Sequence, residues 1–174
     1  MAEQQKREFK RRPREEVKDE FDKKNVSLRR VNKTTKGGRN MSFSALVVTG
    51  NRKGQVGMGL SKATEVPNAI DKAGKAARKN VISVPVVEGT IPHAVIGKFA
   101  KTSVKMLPSK QGSGLIAGGA ARIVLDLAGY TDITAKIYGS TDKINVVRAT
   151  LDGLKQLRTK EQVAMLRGKS VEEI

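Results

Sequence analysis

The chain has 174 residues, 34 of them Lys or Arg and 17 Asp or Glu, for a formal net charge of +17. With no Cys, no Trp, four Phe and two Tyr, it offers no disulfide framework, no thiolate metal site and no broad stacking platform for bases. No apolar run approaches the ~20 residues of a membrane helix, and the leader lacks a secretory apolar stretch, so a cytosolic protein is expected.

Residues 1–24 are dense in both signs of charge and poor in apolar side chains. Such a segment cannot bury enough surface to offset chain entropy, so a flexible charged tail is expected, with a helical turn near Glu15–Asp22. Between Asp22 and Glu65 there is no carboxylate but ten Lys or Arg. Like charges repel, so this stretch calls for an anionic partner, nucleic acid first.

Three strands are predicted over residues 26–61. Val26 and Leu28 alternate, and a phase slip at Arg29-Arg30 suggests a bulge. A turn at Lys36–Asn40 follows, with Gly37 and Gly38 allowing close approach of backbone amides to phosphate. Met41, Phe43, Ala45 and Val47 mark one face of the second strand. Gly50–Gly54 reads as a hairpin loop. Val56, Met58 and Leu60 mark the third strand, with Gly57 and Gly59 opposite, where another backbone or a ligand would come close. Val66, Ile70, Ala73 and Ala77 define a helix over 64–80. Its Lys72, Lys75, Arg78 and Lys79 suit either a solvated face or an extension of the basic surface.

A second module is predicted from about Val81. Val81–Val87 is extended and contains Pro85, which fits an edge or a linker. His93–Phe99 and Ser103–Leu107 pair, and Gln111–Gly119 is a flexible glycine loop. Ala120–Ala128 is a helix stopped by Gly129. Ile133, Ala135 and Ile137 form a strand. Ile144, Val147, Leu151 and Leu154 form a helix capped by Thr141 or Asp142. Thr159 and Gln162 have capping-box spacing for a last helix ending at Gly168. The boundaries are thus 1–24, 25–82 and 83–174. Modules this small have marginal cores, so mutual docking or an external scaffold is expected.

Gly112–Ala117 matches G-x-G-x-x-A, but Pro108-Ser109-Lys110 separates it from its strand and Asp132 opens a strand instead of ending one. A nucleotide-using enzyme built on Gly112–Gly118 is therefore the weaker alternative, and a free-standing double-stranded-RNA chaperone weaker still. Gly168-Lys169-Ser170 lacks the first glycine of a phosphate loop. His93, the one histidine, has no nucleophile or orienting acid beside it in sequence, so a structural hydrogen bond is expected. Neither a cofactor nor a metal is called for.

The order of short motifs says more. Asn32–Arg39 with Ser42-Phe43, Glu65–Ile70, Thr90–His93, Gly112–Gly119, Asn145–Thr150 and Leu166–Glu173 resembles, over residues 26–174, the fifth small-subunit ribosomal protein family of bacteria. The resemblance implies an α+β fold. Its first part would be a double-stranded-RNA-binding-like β-β-β-α domain. Its second would be an α+β domain with a left-handed β-α-β crossover. It also implies a non-enzymatic protein, cytoplasmic and ribosome-bound, that supports subunit assembly and translational accuracy. Its partners would be small-subunit (16S-type) ribosomal RNA, the fourth and eighth small-subunit proteins, and messenger RNA near the path by which it enters. No membrane or homo-oligomer is implied. Composition and resemblance together nominate Arg29, Arg30, Lys33, Lys36, Gly37, Gly38, Arg39, Arg52 and Lys53 for RNA. By resemblance, Gly112, Gly114 and Arg122 would face the fourth protein. Arg52-Lys53, Gln55, Thr64, Ala94 and Gln111 depart from the family pattern.

Overall fold

A computed structural model describes residues 21–170 and Glu173. Residues 1–20 of the expected tail, with most of its helical turn, lie outside the described residues. Four antiparallel strands form a first sheet in the order β1-β2-β3-β4, from β1 (Asp22–Thr35), β2 (Gly38–Gly50), β3 (Gln55–Ala63) and β4 (Val81–Ser83). Helix α1 (Val66–Lys79) crosses one face, where Ala69 and Ala73 meet Ala45 and Val47. Its contact is close because the strand offers no side chain there. A Cβ at Gly57 would stand 2.4 Å from the Ala77 carbonyl oxygen, and one at Gly59 2.0 Å from that of Ala73. The sequence pattern of paired glycines thus marks a helix backbone laid directly on β3.

The second sheet comprises β5 (Val95–Phe99), β6 (Thr102–Pro108), β7 (Leu115–Ile116) and β8 (Ile133–Gly139), in the order β5-β6-β8-β7. All pairs are antiparallel except β7 with β8, which α2 (Gly119–Ala128) joins as a crossover. Helix α3 (Lys143–Lys155) lies on β5 and β6 by the same small-residue device, Gly97 facing Ala149 and Gly153. Helix α4 (Lys160–Arg167) opens with the predicted capping box between Thr159 and Gln162 and closes at Gly168. The fold is α+β in two modules.

One core joins them. Leu46, Val48 and Val56 turn away from α1 and share a buried cluster with Val124, Leu125, Leu127 and Leu154. Burying each such side chain contributes about 1.5–3 kcal/mol. Residues Ala45 to Gly50 of β2 are consequently buried on both faces. The backbone adds a second seam. The N–H groups of Arg52 and Gly54 donate to the carbonyls of Leu127 and Ala128 at 3.0 and 2.9 Å. Gly129, at φ 99°, caps α2 where a Cβ would strike the Arg52 carbonyl. The Tyr130 hydroxyl donates to the Pro85 carbonyl at 2.8 Å, and burial pushes that phenol well above its ordinary value.

Several expectations need correction. The register shift in β1 lies between Asn25 and Ser27, not at Arg29-Arg30. There the extra residue turns Val26 into the core, a burial that the alternation count could not weigh. Asp22, Lys23 and Lys24 belong to β1, paired with Gly50, Thr49 and Val48. Residues Val81 to Ser83 pair with β3 and so complete the first sheet instead of opening the second module. On α1 the buried line is Ala69, Ala73 and Ala77, while Val66 and Ile70 stay half-buried. Small residues win that face because the backbones sit so close. The glycine loop at 111–119 is tethered, since β7 forms within it.

Candidate nucleic-acid interface

Strands β1 and β2 are longer than β3. Pairing with β3 stops at Phe43 with Ala63, while β1 and β2 continue to Thr35 with Gly38. A two-stranded ribbon therefore projects roughly 15 Å beyond the third strand. Every residue from Asn32 to Met41 is exposed. The turn is Lys36-Gly37, tied by the Thr35 hydroxyl donating to the Gly38 carbonyl at 3.1 Å. No atom outside their chain neighbours comes within 4 Å of a Cβ built at Gly37 or Gly38, so the tip backbone is open to a ligand.

The pleat distributes the cations over both ribbon faces. Arg30 pairs with Phe43 and Thr34 with Arg39, which puts Arg30 and Arg39 on the α1 side. Lys33 pairs with Asn40 on the opposite side, and Lys36 occupies the tip. A ribbon charged on both faces and at its end suits insertion between phosphate strands better than lying on one. Arg29 is used differently. Its guanidinium donates to Asp142 at 2.8 Å, tying the root of the ribbon to the residue before α3.

Arg52 and Lys53 are not part of this cluster. They sit in the turn at the other end of β2, roughly 40 Å away along a 13-residue strand. The turn's backbone bonds the end of α2, leaving both side chains exposed. Arg52 meets Asp22 at 3.5 Å, a solvent-screened pair of little energetic weight. Lys24 pairs with Asp126 of α2.

The glycine loop presents a second, distinct edge. Gly112 and Gly114, at φ 85° and 72°, have open space where a side chain would stand. The Gly114 N–H donates to Asp132 at 2.8 Å, and the Thr131 hydroxyl also donates to that carboxylate. Those bonds, with further donation from Gly112 and Ser113, hold the Asp132 carboxyl below its ordinary value. The chain's own carboxylate thus occupies the amide cradle that a pyrophosphate would need. Arg122 is exposed on α2 and lines a shallow cleft with Leu115, just after the loop. Asp132 and Asp142 escaped sequence reasoning as partners, since 18 and 113 residues separate them from the groups they hold.

His93 lies before β5. Its Nε2 accepts from the Arg158 N–H at 3.2 Å and its Nδ1 lies 3.0 Å from the Ala94 carbonyl, the structural role expected of it. Among the described residues, no group of His, Asp and Glu is placed to hold a metal ion.

Family comparison matches the same two modules. Residues 21–85 fit the model for the ribosomal protein S5 N-terminal domain, and residues 97–167 that for its C-terminal domain. The small ribosomal subunit protein uS5 of Aquifex aeolicus is 56% identical over 149 residues, covering 86% of this chain and 72% of the relative. The protein of the same name from Mycoplasmopsis agalactiae is 51% identical over 160 residues, covering 91% and 69%.

The chain belongs to the ribosomal protein S5 family.

The S5 family is structural and non-enzymatic, which agrees with an amide cradle closed by Asp132. The boundary of the S5 N-terminal match at residue 85 takes in β4. The S5 C-terminal match begins at residue 97, inside β5, and ends with α4.

Proposed function

We propose that this chain is a structural constituent of the small ribosomal subunit that grips small-subunit ribosomal RNA with the β1–β2 ribbon. The observation that carries this is the exposed, acid-free tip at Asn32–Met41, bearing Lys33, Lys36 and Arg39 around an open Gly37-Gly38 backbone. Phosphate contacts supply affinity, and the two docked modules fix the direction in which the ribbon points. Arg30 extends the gripping surface along the ribbon. Arg29 supports it through Asp142, and Arg52 and Lys53 offer a separate phosphate contact at the far turn. Gly112, Gly114 and Arg122 form the face for the fourth small-subunit protein, with the eighth as a further neighbour. A contact there that yields as the subunit closes would link the chain to decoding accuracy. The ribbon lies towards incoming messenger RNA, and the protein works in the cytoplasm, bound to the ribosome, from assembly onward.

The test is a salt titration of binding to small-subunit ribosomal RNA. Each neutralised phosphate contributes a slope of about −0.7 to −0.9 in log affinity against log salt. Lys33→Ala with Lys36→Ala should flatten that slope by about 1.4 to 1.8 and leave the melting temperature unchanged. A melting temperature that falls in step with affinity would make the two lysines structural instead.

A further inference from the structure

The second sheet has one face packed against α2 and α3 and one face that no element covers among the described residues. Val95, Gly97, Val104, Met106, Ile133 and Ala135 point inward and are buried. The alternate positions point outward, and pairing arranges them in rows. Lys98 pairs with Ser103, which pairs with Tyr138. Ile96 pairs with Lys105, which pairs with Lys136. Leu107 pairs with Thr134, which pairs with Ile116 of β7. Not one of these outward side chains is acidic. Ile96, Tyr138 and Ile116 remain 48, 52 and 57% exposed.

The middle row is the unexplained part. Lys105 and Lys136 stand directly opposite each other on neighbouring strands, and like charges so placed destabilise a sheet. Neither has an ion-pair partner among the described residues. An isolated fold would gain by placing a carboxylate or a threonine at either position. A bound anion between them would reverse the sign of the interaction.

The geometry points to a second RNA-backbone surface on this open face, with Lys98, Lys105 and Lys136 as the phosphate contacts. The proposal rests on the RNA-bound reading given above. Lysine meets phosphate as a point charge, and it is depleted from the cores of protein–protein contacts, which favours a polyanion over a protein on this face. Tyr138 is the one ring on the face, so it offers a single base or sugar a platform, and the remaining recognition is of backbone. Ile96, Leu107 and Ile116 cover sugar edges beside the charges. The surface belongs to a different module from the ribbon, so the chain would hold RNA at two places and fix their relative position.

The full-length chain and small-subunit ribosomal RNA freed of its proteins test this. Lys105→Gln with Lys136→Gln should flatten the salt slope by about 1.4 to 1.8, and Lys105→Arg with Lys136→Arg should keep it. An unchanged slope for the Gln pair, alongside a flattened one for Lys33→Ala with Lys36→Ala, overturns the sheet-face surface alone. Unchanged slopes in both overturn the RNA-bound reading beneath it. Losing the like-charge pair should hold or raise the melting temperature, and a clear fall in the Gln pair alone overturns the proposal by making the lysines structural. A photo-cross-linking side chain in place of Tyr138, in reconstituted small subunits, should give RNA adducts. Protein adducts alone would overturn the proposal and assign the face to an acidic protein partner.

Discussion

Two glycines of the first sheet separate packing from recognition. At Gly59 a methyl group would be driven into the Ala73 carbonyl, 2.0 Å away, and α1 would have to lift. Gly59→Ala should therefore cost about 3 kcal/mol, the upper end of overpacking penalties, read as a lower denaturant midpoint. At Gly37 the same substitution meets open space, so stability should stay within about 0.5 kcal/mol of the parent while RNA affinity drops. Asp132 provides a pH test. Its carboxyl is held below 3.8, chiefly by the Gly114 N–H and then the Thr131 hydroxyl. A carboxyl depressed by folding contributes fully above its ordinary value and loses that contribution as pH falls through the lower native one. Asp132→Asn should be less stable than the parent at neutral pH, and the gap in melting temperature should close as pH falls through the lowered native value. The close-packing role of Gly57 and Gly59 was legible because alternation exposes it. The role of Asp132 was not, because it depends on where a turn delivers three amides.

Among the elements, the ribbon is the one whose shape follows from unequal strand lengths. Its root is held by Arg29 and Asp142, both partly solvent-exposed. A double-mutant cycle with Arg29→Ala and Asp142→Ala should give a coupling of about 0.2–1 kcal/mol, small because water screens the pair. Even so, loss of either partner should increase hydrogen exchange in the ribbon before any other element, since among the described residues the other ties of β1 to the second module, Val26 and the Lys24–Asp126 pair, lie nearer its start. Local signals were readable in advance. The Thr159–Gln162 capping box and the Gly129 stop both depend on neighbours a few residues away. The bulge was misplaced by several residues because its cause is tertiary, namely the burial of Val26 against the second module. The ribbon's charge was plain from composition and the two turns already flanked the second strand, whereas the distance by which β1 and β2 outrun β3 followed only from the observed pairing.

For the molecule as a whole, the shared core decides how it unfolds. Leu46 is buried in a cluster drawn from both modules. Leu46→Ala should cost about 2–5 kcal/mol and lower hydrogen-exchange protection in both sheets together, with one cooperative transition retained. Two separate transitions would show that the modules are energetically independent. The composition indicated modules too small to stand alone, but it could not indicate that β2 has two buried faces. Alternation reads one face at a time, and Leu46 and Val48 look like surface positions once Ala45 and Val47 are assigned inward.

The turn between β2 and β3 takes its grip on α2 through main-chain amides, while the side chains of Arg52 and Lys53 point into solvent. The charge of these two side chains is thus free to vary, within what a φ of 55° at Arg52 tolerates, and the span of the turn is not. A lineage can rewrite these two letters to suit whatever polyanion lies nearby, but adding a single residue would unlatch one half of the protein from the other.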